Sequence, residues 1–268
     1  QQNGNFVVYN TRKPPLDNPK VREALYLWMD RTQWLQRLEK SAQGQGWIGD
    51  FIHPDVYPDV KALGIGNTIE DLRKSNLAFQ TDKTAARKRA KELLAEAGYT
   101  DLSGIKVRVV TQTPTGANLT SNRVLVAQLK EMGFDAVLEV TERLTSARMF
   151  RKGDFDAVVY STTASYPNVI PMLNRAVWSE GAMNFSGLVE QTLDGLLVEL
   201  NIAITSEDQK RILSEIDQHL LKGQHATHLM YHAKTQVIEW GYVKGHRYLT
   251  GFQEEKNDHT WLGPEAPG

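Results

Sequence analysis

The clearest pattern lies in the centre of the chain. From Ile105 to Val110 apolar and polar positions alternate, which predicts a strand. Leu119, Leu125, Val126, Leu129 and Met132 then recur at helical spacing within 118–132, and Gly133 follows as a left-handed stop. Phe134 to Val140 predicts a second strand. Glu142 to Lys152 predicts a helix closed by Gly153, and Phe155 to Ser161 a third strand with the apolar run Ala157-Val158-Val159-Tyr160. Strand, helix, strand, helix, strand implies right-handed crossovers and a parallel sheet with helices on both faces.

The flanks add to this. Phe6-Val7-Val8-Tyr9 predicts a short buried strand. Prolines at 14, 15 and 19 hold off a helix until Asp17 or Asn18 caps it, with Pro19 at the first helical position. Val21, Ala24, Leu25 and Trp28 then form one apolar face. Residues 41–66 read as loop. A helix is expected from about Asp82 to Ala97, with Ala86, Ala90, Leu93, Leu94 and Ala97 inward and Gly98 as its stop. After a loop-rich stretch, helices are expected at Gln191–Ala203 and Glu207–Lys222, then a strand at Ala226–Tyr231.

Composition narrows the function classes. A chain of 268 residues buries a sizeable core in one or two domains. Its 31 Lys and Arg against 32 Asp and Glu give a net charge of -1, which argues against a dedicated nucleic-acid binder. The absence of cysteine removes disulfides, zinc–thiolate sites, iron–sulfur clusters and cysteine nucleophiles together. No apolar stretch approaches the ~20 residues of a membrane-spanning helix.

Most motif matches fail on context. Gly44-Gln45-Gly46-Trp47-Ile48-Gly49 has the letters of a dinucleotide loop, but a helix precedes it and Pro54 opposes one after it. Ser103 and Lys106 match a serine–lysine pair, but the lysine lies on a strand. His225, His228 and His232 would share a face on a helix and could then hold a metal. On a strand only His228 and His232 share one. The preferred reading is three surface or partly buried imidazoles, with no metal site and no cofactor.

In open parallel α/β sheets ligands bind beyond the carboxyl ends of the strands. Here those ends are 111–116 and the corner from Tyr160 to Asn168. Thr162, Thr163, Ser165, Tyr166 and Asn168 offer hydroxyls, an aromatic ring and an amide, which suits a neutral polar ligand.

Three segments carry a resemblance. Asn10-Thr11-Arg12-Lys13-Pro14-Pro15-Leu16-Asp17-Asn18-Pro19-Lys20-Val21-Arg22-Glu23-Ala24-Leu25, followed by Asp30-Arg31, resembles the signature of family 5 extracellular solute-binding proteins of bacterial ABC importers, the peptide- and nickel-binding group. Ala90-Lys91-Glu92-Leu93-Leu94-Ala95-Glu96-Ala97-Gly98-Tyr99 and Gly153-Asp154-Phe155-Asp156 resemble the family's next landmarks, in order and spacing.

The resemblance implies the second lobe of a two-lobe periplasmic-binding-protein fold (cluster C, class II). Residues 1–9 would be a strand leaving the first lobe, 10–234 the ligand-binding lobe, and 235–268 a segment returning toward the first lobe. A signal peptide and the first lobe would then precede residue 1 in a longer protein. The implied function is capture of a peptide-like or other small polar solute between two lobes and delivery to a membrane permease. The protein would be a monomeric, non-enzymatic receptor outside the cytoplasm, held at the membrane by the permease or by a lipid anchor outside this chain. A nickel-type or metal-chelate binder is the alternative, and a histidine-based hydrolase a weaker one.

The resemblance also places residues. Ser165 stands where peptide-binding relatives carry an aspartate for the ligand's ammonium group. A buried ammonium deprived of its carboxylate costs on the order of 3–5 kcal/mol, so ordinary anchoring of free peptides is in doubt. Tyr166 matches a pocket aromatic of the nickel-binding relatives. Asn174, Arg175, Trp178 and Asn184 fall in the segment bordering the cleft, and Arg175 suits a carboxylate or phosphate. Peptides held in another way, opines, oligosaccharides and metal chelates all remain candidate solutes.

Overall fold

The computed structural model describes residues 2–40, 45–112, 116–164, 168–234, 243–244 and 261–264. In chain order the strands are β1 (Gln2–Tyr9), β2 (Gln45–Trp47), β3 (Lys106–Gln112), β4 (Asp135–Thr141), β5 (Ala157–Ala164), β6 (Thr227–Lys234), β7 (Val243–Lys244) and β8 (Trp261–Leu262). The helices are α1 (Pro19–Trp28), α2 (Arg31–Lys40), α3 (Pro58–Leu63), α4 (Ile69–Ser75), α5 (Thr84–Glu96), α6 (Gly116–Met132), α7 (Arg143–Lys152), α8 (Val169–Ala176), α9 (Gln191–Ile202) and α10 (Ser206–Leu220).

The long periodic helices stand where their patterns put them. Asn18, rather than Asp17, caps α1, its Oδ1 accepting the Lys20 N–H at 2.9 Å. Four helices escape the sequence pattern: the ten-residue α2, and three that are short. α3 has Pro58 in its first turn, a left-handed Gly64 after it, and one buried residue, Val60. α4 is fixed by a capping box between Thr68 and Asp71. α8 carries Pro171 in its first turn, where proline is tolerated but reads as a breaker.

Six strands form one sheet in the order β2-β6-β1-β5-β3-β4. β3 pairs parallel with β4 and β5, as the crossovers require. The sheet is mixed rather than wholly parallel, however. β1 lies antiparallel between β5 and β6, and β2 antiparallel to β6. A strand–helix–strand pattern sets the direction of strands joined by a crossover. It says nothing of β1, which precedes the first one. β1 is hydrogen-bonded along both edges at the middle of the sheet, which accounts for the burial expected of Phe6 to Tyr9. The short strands β7 and β8 pair with each other in a separate ribbon.

Alternate residues of the central strands feed two cores. Val7, Tyr9, Val107, Val109, Ala157 and Val159 pack beneath α1, α5 and α6 with Leu25, Ala90 and Leu125. Phe6, Val8, Val110, Val158 and Leu229 pack on the other face with Phe150, Leu173, Leu197 and Ile216 from α7 to α10. Burial on both faces explains the near-continuous apolar runs in β1 and β5.

Two glycines separate backbone strain from crowding. Gly66 and Gly98 have φ of +85° and +86°. A Cβ at Gly98 meets nothing within 4 Å, whereas at Gly66 it would lie 2.2 Å from the Ile52 carbonyl oxygen. Gly98→Ala is expected to cost about 1–2 kcal/mol, the left-handed penalty alone. Gly66→Ala must add a backbone displacement and is expected to lose clearly more, about 3 kcal/mol or above. Urea unfolding of the two variants side by side checks the difference.

Candidate functional site

One edge of the sheet gathers the ends of all six strands. Gln2 pairs with both Ala164 and Lys234, and Gln45 also pairs with Lys234. β3 and β4 finish alongside, with Gln112 opposite Thr141. Along this edge β1 begins Gln2-Asn3-Gly4-Asn5 and β5 ends Ser161-Thr162-Thr163-Ala164. The residues are polar and uncharged, in strands whose other halves are apolar.

The described side chains there form a hydrogen-bonded wall. Ser161 donates from Oγ to Oδ1 of the buried Asn5. Ser121 and Tyr231 share a hydrogen bond of 3.2 Å between their hydroxyls.

Asn122, on α6, is completely buried. Its Oδ1 accepts the Val159 N–H at 2.8 Å, and its Nδ2 donates to the Val159 carbonyl at 3.4 Å and to Thr111 Oγ1 at 3.1 Å. β3 and β5 share a single register pair, Val109 with Ala157, and separate beyond it toward this edge. The Asn122 amide fills the gap and satisfies β5 as a neighbouring peptide group would. A helix side chain thus stands in for a strand partner between β3 and β5 at this edge.

The residues expected from the sequence divide by position. Tyr160, Thr162 and Thr163 lie on β5, and Asn168 follows close behind. The half-buried Tyr160 ring packs edge-on against Phe185, with centroids 5.2 Å apart, and against Phe150 at 6.3 Å. Thr162 and Thr163 are placed by their backbone pairing with Gly4 and Asn3. Asn168 caps α8, its Oδ1 accepting the Ile170 N–H at 2.8 Å. Ser165 and Tyr166 lie outside the described residues.

The later candidates do not join this group. Asn174 exchanges amide hydrogen bonds with Asn201 at 2.7 and 3.2 Å, linking α8 to α9. Arg175 is exposed on α8, and Trp178 packs half-buried against the second core. Asn184 is spent within its own loop. It donates to the Ser179 and Leu188 carbonyls at 2.8 Å each and accepts from Ser186 Oγ and the Gly187 N–H. That loop adjoins the opposite end of the sheet, where the Thr11 N–H meets the Ser186 carbonyl just past β1.

The histidines are dispersed, and their geometry corrects one expectation. A bulge in β6 falls between the pairs Asn5–Tyr231 and Phe6–Leu229, leaving Met230 as the extra residue. His228 and His232 therefore face opposite sides of the sheet. His228 contacts the Tyr9 and Tyr26 rings, and His232 those of His53 and Tyr57. Each imidazole has its own backbone partner. His225 Nδ1 accepts the Thr227 N–H, while His228 Nε2 and His232 Nε2 bind the Gly223 and Asp50 carbonyls. Burial pushes His225 down to about 4 and His232 to about 3, so both rings are neutral at physiological pH. Among the described residues no three metal-ligating side chains come together.

Sequence reasoning missed Asn5, Thr111, Ser121 and Asn122. Each lies in a strand or helix that already mixes polar and apolar positions, so the pattern does not mark it as buried. Nothing in one sequence separates such a residue from a solvent-facing one.

Comparison with known proteins agrees with the signature segments. The chain is 28% identical over 228 residues to a "Probable di/tripeptide-binding protein 5" of Pseudomonas aeruginosa, covering 82% of this chain and 38% of that protein. It is 24% identical over 238 residues to the periplasmic oligopeptide-binding protein OppA of Escherichia coli, covering 87% and 40%. The crystal structure of Burkholderia pseudomallei OppA superposes with a TM-score of 0.78 at 15% identity, covering 97% of this chain and 48% of that one. The likeness establishes the two-lobe periplasmic-binding fold class, of which this chain spans less than half the length. The sequence profile described as "Bacterial extracellular solute-binding proteins, family 5 Middle" matches residues 1–184, and the chain belongs to that family.

Proposed function

We propose that this chain forms one wall of an extracytoplasmic receptor that binds a peptide or similar polar solute and hands it, chemically unchanged, to an ABC permease. The observation that carries the reading is the uncharged run Ser161-Thr162-Thr163-Ala164 at the carboxyl end of β5, paired with Gln2-Asn3-Gly4-Asn5 of β1 and braced from within by the Asn5–Ser161 and the buried Asn122–Thr111 hydrogen bonds. Amides and hydroxyls beside strand ends suit the alternating donors and acceptors of a peptide backbone. The relatives named for di- and tripeptides and for oligopeptides support the same class. No helix among the described residues is long and apolar enough to cross a membrane.

The serine at 165 deepens the reading. The corner from Tyr160 to Asn168 contributes no carboxylate of its own for a free peptide ammonium, and the Asp59 carboxylate at its end already accepts the Val169 N–H at 3.2 Å. Peptides whose amino group is blocked, or met by charge elsewhere, fit this wall better. The test begins with the full-length receptor purified from its host and native mass spectrometry of the solute it retains. Calorimetry with a tripeptide and its N-acetyl form then follows. Binding of the acetylated form at least as tight as the free one is expected, as is weak or undetectable binding by the 268-residue chain alone, which buries only part of the ligand. A ligand released in altered form would overturn the receptor reading. A clear preference for the free amine would overturn the role given to Ser165.

A further inference from the structure

Asp50, Asn67 and Asp217 meet below a hollow of about 360 Å³ bordered by residues 64–67 and α10. Asn67 Nδ2 donates to Asp50 Oδ2 at 2.9 Å and to Asp217 Oδ2 at 2.8 Å. The two acids are only 4% and 6% exposed. Their remaining oxygens, Asp50 Oδ1 and Asp217 Oδ1, are sealed from solvent and have no hydrogen-bond partner. Two ionised carboxylates and one neutral amide would leave two like charges in dry protein, which their desolvation and mutual repulsion oppose.

Among the described residues no cation pairs with either acid; the buried Arg31 lies against the Tyr26 ring and donates to backbone carbonyls. Tyr26 faces the pair from α1, and its phenol is neutral. His232 of β6 binds the Asp50 backbone carbonyl at 2.8 Å and is itself uncharged. His228, also on β6, lies in the same buried region as a neutral ring. His53, from the segment carrying Asp50, packs edge-on against His232 and is held below the usual imidazole value by burial. Lys210 of α10 borders the hollow without an ion pair to either acid among the described residues. The sealed oxygens leave room for one neutralising particle inside the contact, a proton.

We propose that Asp50 and Asp217 share a single proton, and that this proton is a pH-sensitive latch fastening the 49–67 segment to α10. Burial, and for Asp217 also the Asp50 charge, hold the one proton the pair shares well above the usual carboxylate range, to about 7 on Asp50. In the opened form both acids meet water and return to an ordinary value near 4. The folded group therefore has the raised value. The latch is complete below about pH 4 and is lost progressively as pH rises through about 7. Across that window opening releases one proton, so the opened fraction rises about tenfold per pH unit and levels off above it. The segment that loosens begins at β2, whose Trp47 pairs with His232 beside the polar edge.

Amide hydrogen exchange of the 268-residue chain between pH 5 and 7, corrected for intrinsic rates, tests this. Opening of residues 50–67 and of α10 should rise about tenfold per unit relative to α6, and the rise should vanish in Asp50→Asn and Asp217→Asn. Carboxyl ¹³C NMR of the unmodified chain should show an aspartate titrating near neutrality, a readout that survives if either variant fails to fold. Both acids titrating below pH 5 would overturn the latch, as would an unchanged slope in both variants. Protection that needs added Ca²⁺ and disappears with EDTA would also overturn it, in favour of a bound cation.

Discussion

Arg31→Leu is expected to lose about 3–5 kcal/mol of stability, although Arg31 pairs with no carboxylate. The residue is 2% exposed. Its guanidinium donates to the carbonyls of Ala78 at 2.9 Å, Leu229 at 3.3 Å and Tyr26 at 3.4 Å. Its plane lies 4.5 Å from the Tyr26 ring centroid and 4.6 Å from that of Phe79. One side chain thus ties α1, the turn at 77–79 and β6 together. Leucine restores the apolar volume and removes a costly buried charge, but the backbone carbonyls cannot be removed with it. The Ala78 carbonyl keeps Lys83 as a donor, but the Leu229 and Tyr26 carbonyls lose theirs from the guanidinium at about 1–3 kcal/mol each, so the loss exceeds the relief. A second readout comes from Lys83, which shares the Ala78 carbonyl at 2.7 Å. Burial first, and then the Arg31 charge, push its ammonium down to about 7. Removing Arg31 should therefore raise the Lys83 value. Urea unfolding and a lysine NMR titration check the two effects. The exposed Arg151→Leu should stay within about 0.5 kcal/mol of the parent.

Asn122→Leu is the second large effect, expected at about 2–4 kcal/mol from two stranded backbone groups of Val159. The substitution keeps the branched shape but adds volume, so no packing is lost and any overpacking adds to the cost. Asn122→Asp is the sharper probe. A carboxylate still accepts the Val159 N–H but has no donor for its carbonyl, and its charge is fully buried. It is expected to be at least as destabilising at pH 7 and to recover in part below pH 5, when the acid is protonated. The same measurement on Asn174→Leu, a partly solvated pair with Asn201, should show under about 1 kcal/mol. If Asn122→Leu unfolds at the parent's urea midpoint, the amide is not what holds the β3–β5 gap.

How far the sequence could be read follows from these residues. Helices such as α1, α5 and α10 announce themselves because a repeating apolar stripe needs two or more turns to show. α3, with six residues and one buried side chain, never completes that repeat. Strand existence was legible in β3, β4 and β5, but the direction of β1 was not, because its partners are fixed by pairing across the fold. The bulge at Met230 was equally hidden. One unpaired residue carries His228 and His232 to opposite faces, while an unbroken alternation would have kept them together. Of the site, the corner after Tyr160 was reachable from the rule that ligands sit at the carboxyl ends of parallel strands. Asn184 was not separable from it, since only tertiary contacts show the 179–188 loop beside the opposite end of the sheet.

The place of β1 bears on synthesis. Its registers join Val8 to Val158 and Val7 to His228. β1 leaves the ribosome before the other described strands of its sheet and must therefore wait for about two hundred more residues before its second edge is covered. At roughly 5–20 residues per second that delay is on the order of ten seconds or more. During it, an apolar ribbon spanning Phe6 to Tyr9 has no lasting neighbour along one side. A nascent chain built this way has strong reason to be met by a chaperone, and pausing before codon 227 should lengthen that encounter.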